Sequence, residues 1–474
     1  MNTVHIVPVM TPALQEEVDA SRRSKKVQAL IDLLSPMVDP ENMNIKDGCD
    51  DHTVEDILSA IRDLLPNLHS DRTLFAAFHD GQVHNPLEGG AYAFENDIIR
   101  PLLLALINDE NPTMSTSSGQ RATTNPTRHI VVHAGAQPNN SPHTGTLVVF
   151  GLAFLLAQAI RRRIHDTLSE NATMPLVSVE ITLVDTAPVR NETCESNGVR
   201  YQHSYRDDPD ALAVHMGDYD EVLDRMSRWS GILFRTNFQS DFFSHPSIPT
   251  LLSYIVCNRD RLAMQLSPKH NALALRAACP EPDCGLVEKS GSLNQYTDTS
   301  ITFNCPFHGA HRVSFNKPSD VVRLEANTPM RNLIRSMIHV LDTSAHHVRI
   351  TGADYAGTYQ EALLYRPLVE WAGRTGFGVV RTPHILYAPL IVDWSGAKLS
   401  KSFYVRERGY SAMEILGLEG LCSYTGLKKK YGQEGLRLIW EEVEKWVLHP
   451  HMLFRASFSV EYFLRILNGA QLPS

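Results

Sequence analysis

The chain has 474 residues, enough for about three structural units at roughly 100 to 200 residues each, and 43% of it is hydrophobic, ample for a real core. A formal net charge of -9, from 44 Lys and Arg against 53 Asp and Glu, excludes a polycationic binder, so any nucleic-acid contact must be a local patch. No stretch reaches the ~18 uninterrupted apolar residues of a membrane span; the nearest, 147–160, contains Gln158 and runs into three arginines, and it reads as a buried helix.

The start of the chain has no basic region followed by an apolar core, so a secretory signal is not expected and the cytoplasm is the expected setting. Residues 12–108 carry apolar positions at three- and four-residue spacing and predict a helical N-terminal extension, 1–108. Residues 109–128 are rich in Ser, Thr, Asn and Pro without apolar periodicity and predict a flexible linker. A strand at 129–133, a Gly- and Asn-containing loop, the apolar helix and a second strand at 176–185 form a βαβ unit, which argues for a parallel sheet. Further strands are expected at 347–350 and 385–392. The fold expected is α/β, a doubly wound parallel sheet.

Three segments carry chemistry. Residues 133–147 follow the first strand and open a helix, so Gly135 and Gly145 allow close backbone approach and the helix N-terminus favours phosphate, with His143 as a donor. Taken alone, the segment also fits an ordinary strand-to-helix turn. Residues 395–402, SGAKLSKS, place two lysines three apart among small residues, a cationic loop suited to an oligophosphate; by itself such a run is more often a solvated loop. Cys279, Cys284, Cys305 and His308 form two short knuckles twenty residues apart, a donor set suited to a closed structural zinc site in a ribbon inserted at 271–318. His311 is a substitute fourth ligand, and two buried cysteines with incidental partners are the alternative.

Together, PHTGT after the first strand and KLSKS after a late one resemble the HIGH and KMSKS signatures of class I aminoacyl-tRNA synthetases. The resemblance implies a Rossmann-like core of the HUP type, its halves at 129–270 and 319–405, with a short helical C-terminal region at 406–474. It implies that His143, Lys398 and Lys401 are catalytic and that Gly135, Gly145, Thr146, Ser400 and Ser402 lie against ATP, with Mg if adenylation is retained. Leu399 stands for the Met of the signature and Thr146 for its second His. The zinc ribbon, the TPMRN segment at 328–332 and the TGADY loop at 351–355 are most similar to class I lysyl-tRNA synthetases, which places Gly352 and Asp354 near the nucleotide. A basic amino acid would need a buried carboxylate: Asp185, Glu361 and Asp393 are candidates, with Tyr355 and Tyr359 as lining residues. The implied partners are that amino acid and tRNA or aminoacyl-tRNA, and local basic clusters stand at 22–26, 161–163 and 428–430.

Only 72 residues follow Ser402, short for the anticodon-binding domain of that subfamily. Two alternatives therefore stand beside a synthetase-like ligase. One is a tRNA-dependent cyclodipeptide synthase, arginine-containing, which consumes charged tRNAs; the other is a non-catalytic tRNA-binding paralogue.

Overall fold

The computed structural model describes residues 129–167, 174–355, 366–375, 383–393, 396–399, 418–449, 452–453 and 457–469, with Ile99 and Leu103. All lie in the second of the chain's two units, Phe78–Ser474. The remainder of the helical extension at 1–108 and the linker at 109–128 are outside the described residues.

Strand β1 (His129–Ala136) leads through a turn into helix α1 (Thr144–Thr167), and β2 (Val177–Leu183) returns parallel to β1. After the antiparallel pair β3 (Pro188–Ser196) and β4 (Val199–Ser204), helix α2 (Pro209–Ser230) starts on an Asp208 cap and stops at Gly231, whose φ of 66° a left-handed C-cap requires. Strand β5 (Phe234–Phe238) then joins β2 in parallel. Helices α3 (Ile248–Cys257) and α4 (Arg259–Leu266) precede short strands β6 (Leu275–Ala277), β7 (Val287–Glu288), β8 (Gln295–Thr297), β9 (Ser300–Cys305) and β10 (Gly309–Ser314). The last three form an antiparallel sheet. One turn, α5 (Pro318–Val321), and β11 (Leu324–Ala326) lead into α6 (Thr328–Leu341), capped by Asn327.

Strand β12 (Ala345–Gly352) returns beside β1 on the side away from β2, and after α7 (Arg366–Thr375), β13 (His384–Ala388) pairs with β12. The sheet order is β13-β12-β1-β2-β5, all parallel, with strand order reversing between β1 and β12. This is a doubly wound, Rossmann-like α/β fold, and a crevice at that reversal is where such sheets bind ligands.

The strand expected at 385–392 is two strands. Pro389 has no N–H to give a ladder, and beyond it β14 (Leu390–Val392) leaves the main sheet to pair with the late strand β15 (Ser457–Ser459). Helices α8 (Glu419–Cys422), α9 (Tyr424–Tyr431), α10 (Glu434–Leu448) and α11 (Val460–Leu467) complete the described chain. Helix α1 is buried among them: Leu147, Phe150, Phe154 and Ile160 share one core with Leu436, Val443, Trp446 and Phe463. Among the described residues one helix, Thr144–Asp166, is long and apolar enough to cross a membrane, and most of it is buried inside this fold.

The two faces of the sheet differ. Ile130, Val132 and Ala134 of β1, Val179 and Ile181 of β2, and Val348 and Ile350 of β12 enter the core that holds α1. Strand alternation puts His133, Glu180, His347 and Arg349 on the opposite face. That face meets α6, where His339 stacks on His347 with ring centroids 4.0 Å apart and Asn332 accepts from Arg349 at 2.6 Å.

Candidate active site

A cleft of about 1290 Å³ opens at the strand-order reversal. Its lining brings together Gly135, His143, Gly145, Thr146, Gly352, Asp354, Tyr355 and Lys398, residues spread over more than 260 positions of sequence. Each is placed by an element end. His143 precedes the first residue of α1, and its Nδ1 accepts from the Gly145 N–H at 3.1 Å. The neutral ring therefore carries its proton on Nε2. A Cβ on Gly145 would fall 2.9 Å from the His143 ring, so only glycine leaves the imidazole in this seat. Thr144, buried, donates to the Leu421 carbonyl at 2.9 Å and ties the start of α1 to α8. Gly135 has similar tightness: a Cβ there would meet the Thr182 carbonyl oxygen at 3.1 Å.

On the opposite lip, β12 ends at Gly352, and Asp354 accepts from the Lys398 ammonium at 2.6 Å. The ion pair joins the loop after β12 to the lysine-bearing loop after β14, with both side chains more than one-third exposed, so solvent keeps its contribution to stability small. Leu399 is buried, and its N–H donates to the Ile391 carbonyl at 2.7 Å, holding the start of the KLSKS segment against β14. Ser400, Lys401, Ser402, Tyr359 and Glu361 lie outside the described residues.

The carboxylates read as partners for a basic side chain are placed elsewhere or otherwise engaged. Asp185 is not on the cleft: it accepts from the Ser240 backbone N–H at 2.9 Å and from the Ser240 hydroxyl. Burial raises its pKa against those bonds and the nearby Arg206 charge. Asp393 accepts from the Ala397 N–H at 3.0 Å and shapes the turn through Gly396, whose φ is 81°. Among the basic clusters, Arg161 donates to the Gly231 carbonyl at 2.7 Å at the end of α2, and Lys428 pairs with Glu221 at 2.6 Å.

Four residues unremarked as site residues in the sequence form the inner wall: Arg331, Asn332 and Arg335 of α6 and Arg349 of β12. Their signal was present as arginines four apart in TPMRNLIR, one helix face, yet only tertiary structure turns that face toward a strand. Behind them, His133 and His347 share a hydrogen bond of 2.9 Å between Nε2 and Nδ1, and His347 Nε2 lies 3.0 Å from Asp342. Burial lowers the His133 pKa to about 4.

The cysteines and His308 come together as four. Cys279 Sγ lies 3.5 Å from His308 Nδ1, Cys305 Sγ 3.6 Å from the same atom, and Cys284 Sγ 3.6 Å from Cys305 Sγ. Two thiolates held about 2.3 Å from one tetrahedral centre would stand about 3.7 Å apart, close to these separations, so the donor set suits zinc. Burial pushes the Cys279 thiol up to about 12; for Cys305, burial is opposed by the backbone N–H groups of Phe307 and His308 together with the His308 and Cys284 side chains, which bring it to about 7. His311 bonds instead toward the Ala277 carbonyl at 3.3 Å, outside this cluster.

No family model matches the sequence, and no curated protein does. Among solved structures, the chain is similar to a glutamate tRNA ligase from Elizabethkingia meningosepticum at 13% identity and a TM-score of 0.27, covering 59% of this chain and 53% of that one. It is similar to the glutamate-tRNA synthetase of Elizabethkingia anophelis at 12% identity and a TM-score of 0.24, covering 59% and 54%. It is similar to Thermus thermophilus arginyl-tRNA synthetase at 12% identity and a TM-score of 0.23, covering 77% and 76%. The chain spans about half the length of the two glutamate enzymes. Overlaps this slight carry no argument about activity, which rests on the cleft.

Proposed function

We propose that this chain is an aminoacyl-tRNA-synthetase-like enzyme that binds ATP in the cleft and performs aminoacyl activation or transfer, with tRNA or aminoacyl-tRNA as partner. The observation that carries the reading is the convergence of the PHTGT turn, the TGADY loop and Lys398 on one cleft at the strand-order reversal. Neither motif is specific alone, and their meeting at the site where a doubly wound sheet accepts ligands is what a nucleotide site requires.

In this reading the amide groups at the start of α1 and the Nε2–H of His143 hold phosphate oxygens. Lys398 exchanges Asp354 for the nucleotide's phosphates and, with Lys401, offsets charge that develops as the phosphate is attacked. Mg would reduce the remaining negative charge. Catalysis is positioning and charge stabilisation, and no covalent nucleophile is needed. Cys279, Cys284, Cys305 and His308 hold a structural zinc ion.

A basic amino acid was the expectation from sequence; among the described lining residues the acidic side chain is Asp354, already engaged by Lys398, so the lining gives that specificity no support. The test is amino-acid-dependent exchange of labelled pyrophosphate into ATP, with each of the twenty amino acids offered in turn. Exchange with one of them, abolished by Lys398→Ala, supports activation. Silence with every amino acid, tRNA present, together with a diketopiperazine formed from charged tRNA, would replace it with the cyclodipeptide synthase reading.

A further inference from the structure

The turn between β1 and α1, residues 137–143, meets the cleft through Gln137, Asn139 and His143. Pro138 and Pro142 have no N–H to give, so the backbone of this turn offers few donors of its own. Side chains and backbone from other elements hold it at three points. Tyr219 of α2, fully buried, donates from its hydroxyl to the Gln137 carbonyl at 3.0 Å. Ser141, 3% exposed, accepts at Oγ from the Thr425 N–H at 3.1 Å. Thr144 donates to the Leu421 carbonyl at 2.9 Å.

The middle contact joins two structures that each lack a partner by geometry. Helix α9 opens on Ser423, whose hydroxyl accepts from the Gly426 N–H at 3.0 Å. A Cβ on Gly426 would fall 2.4 Å from the Glu419 carbonyl oxygen, so glycine is what lets α9 begin hard against α8. Thr425 is the second residue of α9, and an N–H in the first turn of a helix has no acceptor within that helix. It goes to Ser141, so the turn completes the helix start and the helix start fixes the turn. The Thr425 hydroxyl donates to Asp218 Oδ2 at 2.6 Å and lies 3.3 Å from Ser141 Oγ. A carboxylate is the stronger acceptor and takes the single hydroxyl proton, and its charge stands where the dipole of α9 favours it. Ser141, Thr144, Asp218 and Thr425 are all outside the cleft lining, so these contacts reach a ligand only through the turn.

We propose that Thr425 is a positioning residue for the nucleotide site. Bonded to Ser141 and Asp218, it fixes the turn that carries His143 and leads into the amide groups opening α1. The inference rests on the reading of this cleft as an ATP site and deepens it, because it makes α9, whose Thr425 stands 284 positions from Ser141, part of how that site is built. Catalysis by positioning is sensitive to displacements of about 1 Å, and the loss of one of three supports should cost about what one hydrogen bond is worth, up to about tenfold.

Three measurements on the full-length protein test it: pyrophosphate exchange, binding of a non-hydrolysable ATP analogue, and hydrogen exchange resolved by peptide. Thr425→Val removes the hydroxyl and keeps the shape. It should lower both the turnover of pyrophosphate exchange and the affinity for the analogue about tenfold, with the KM for the amino acid changed less than about twofold. Amide exchange at residues 139–147 should quicken about tenfold while the thermal midpoint holds, since Thr425 is exposed. Thr425→Ser keeps the hydroxyl and should bring each quantity back to within about twofold of the parent. Glu221→Gln removes an ion pair with Lys428 that joins the same two helices, and it should leave amide exchange in the turn unchanged. Ser141→Ala combined with Thr425→Val should cost no more than Ser141→Ala alone, as expected of residues acting through one contact.

Amide exchange and analogue affinity within about twofold of the parent in Thr425→Val would overturn the role. Equal losses in Thr425→Ser or Glu221→Gln would also overturn it, by making the general docking of α9 the cause. Faster exchange throughout the protein with a lowered midpoint would reduce the residue to a structural one. The ATP reading fails separately. A parent that neither binds the analogue nor exchanges pyrophosphate removes that reading, while amide exchange at 139–147 in Thr425→Val still decides whether this residue fixes the turn. A parent that binds the analogue, with Thr425→Val indistinguishable from it, removes the positioning role alone.

Discussion

At Gly145 one hydrogen atom in place of a methyl group decides the geometry of the outer lip. The His143 ring occupies the space a Cβ would take, and its bond from the Gly145 N–H leaves the proton of the neutral ring on Nε2. The buried histidines behind the arginine wall set a different property, acid sensitivity. His133 is held at about 4 by burial, with the charges of His347 and Arg335 adding to that and the Glu180 carboxylate, 3.6 Å away, opposing it. Below pH ~6.5 the unfolded chain takes up a proton that the folded chain refuses, so stability falls as pH drops toward 4 and then levels off for this group, a loss of roughly 3 kcal/mol. His339, held well below the usual imidazole range by burial and by the charge of His347, acts in the same direction. Thermal unfolding at pH 7.5 and pH 4.5 should show this loss, and His133→Gln should show a smaller one. Equal acid sensitivity in the variant and the parent would remove His133 as its source.

At the scale of elements, the segment from β6 to β10 enters the second large core through Leu275, Ala277, Ile301, Phe303 and Val313 and carries the thiol cluster beside it. These strands are two to six residues long, too short to stand on ladder bonds alone. Cys279, Cys284 and Cys305 form a small buried cluster with Tyr201 and Leu286, apart from the two large cores. Elemental analysis of the purified protein should find about one zinc per chain. Cys305→Ser should lose the metal and make this segment the first to be cleaved by protease. Stoichiometric zinc retained in that variant would place the ion elsewhere. Helix α6 shows a second element-scale property. Its apolar residues Met330, Leu333, Ile334 and Met337 enter one core, while Arg331, Asn332, Arg335 and His339 turn toward the sheet, so one helix both anchors the fold and supplies the inner wall.

At the scale of the whole molecule, the described C-terminal helices are part of the core that holds α1. Trp446, fully buried, stacks on Phe458 with centroids 4.4 Å apart and donates from Nε1 to Glu442 Oε1 at 2.9 Å. It lies in the same core as α1, the helix that begins at His143's turn. Trp446→Ala should destabilise the protein by about 3–5 kcal/mol through the cavity it leaves, and read as a lower thermal midpoint. A midpoint unchanged by the substitution would mean that this region is a separate module.

Sequence alone determined the βαβ start, the parallel sheet and the burial of α1, because strand alternation, helix periodicity and turn residues are local. That the glycines, His143 and Lys398 share one cleft was implied only by the resemblance of their motifs to the class I signatures. Tertiary structure decided the rest. Pro389 divides a continuous apolar run between two sheets, because the missing N–H matters only once the neighbours of that strand are known. Asp185 is turned from the cleft by Ser240, 55 residues away in sequence. Nothing in the sequence sets Arg335 and Arg349 apart, and Arg331 stands only within the TPMRN segment. Only the packing of α6 against β12 brings three like charges to one wall, and the sign of a pocket depends on which side chains meet in space rather than on which are near in the chain.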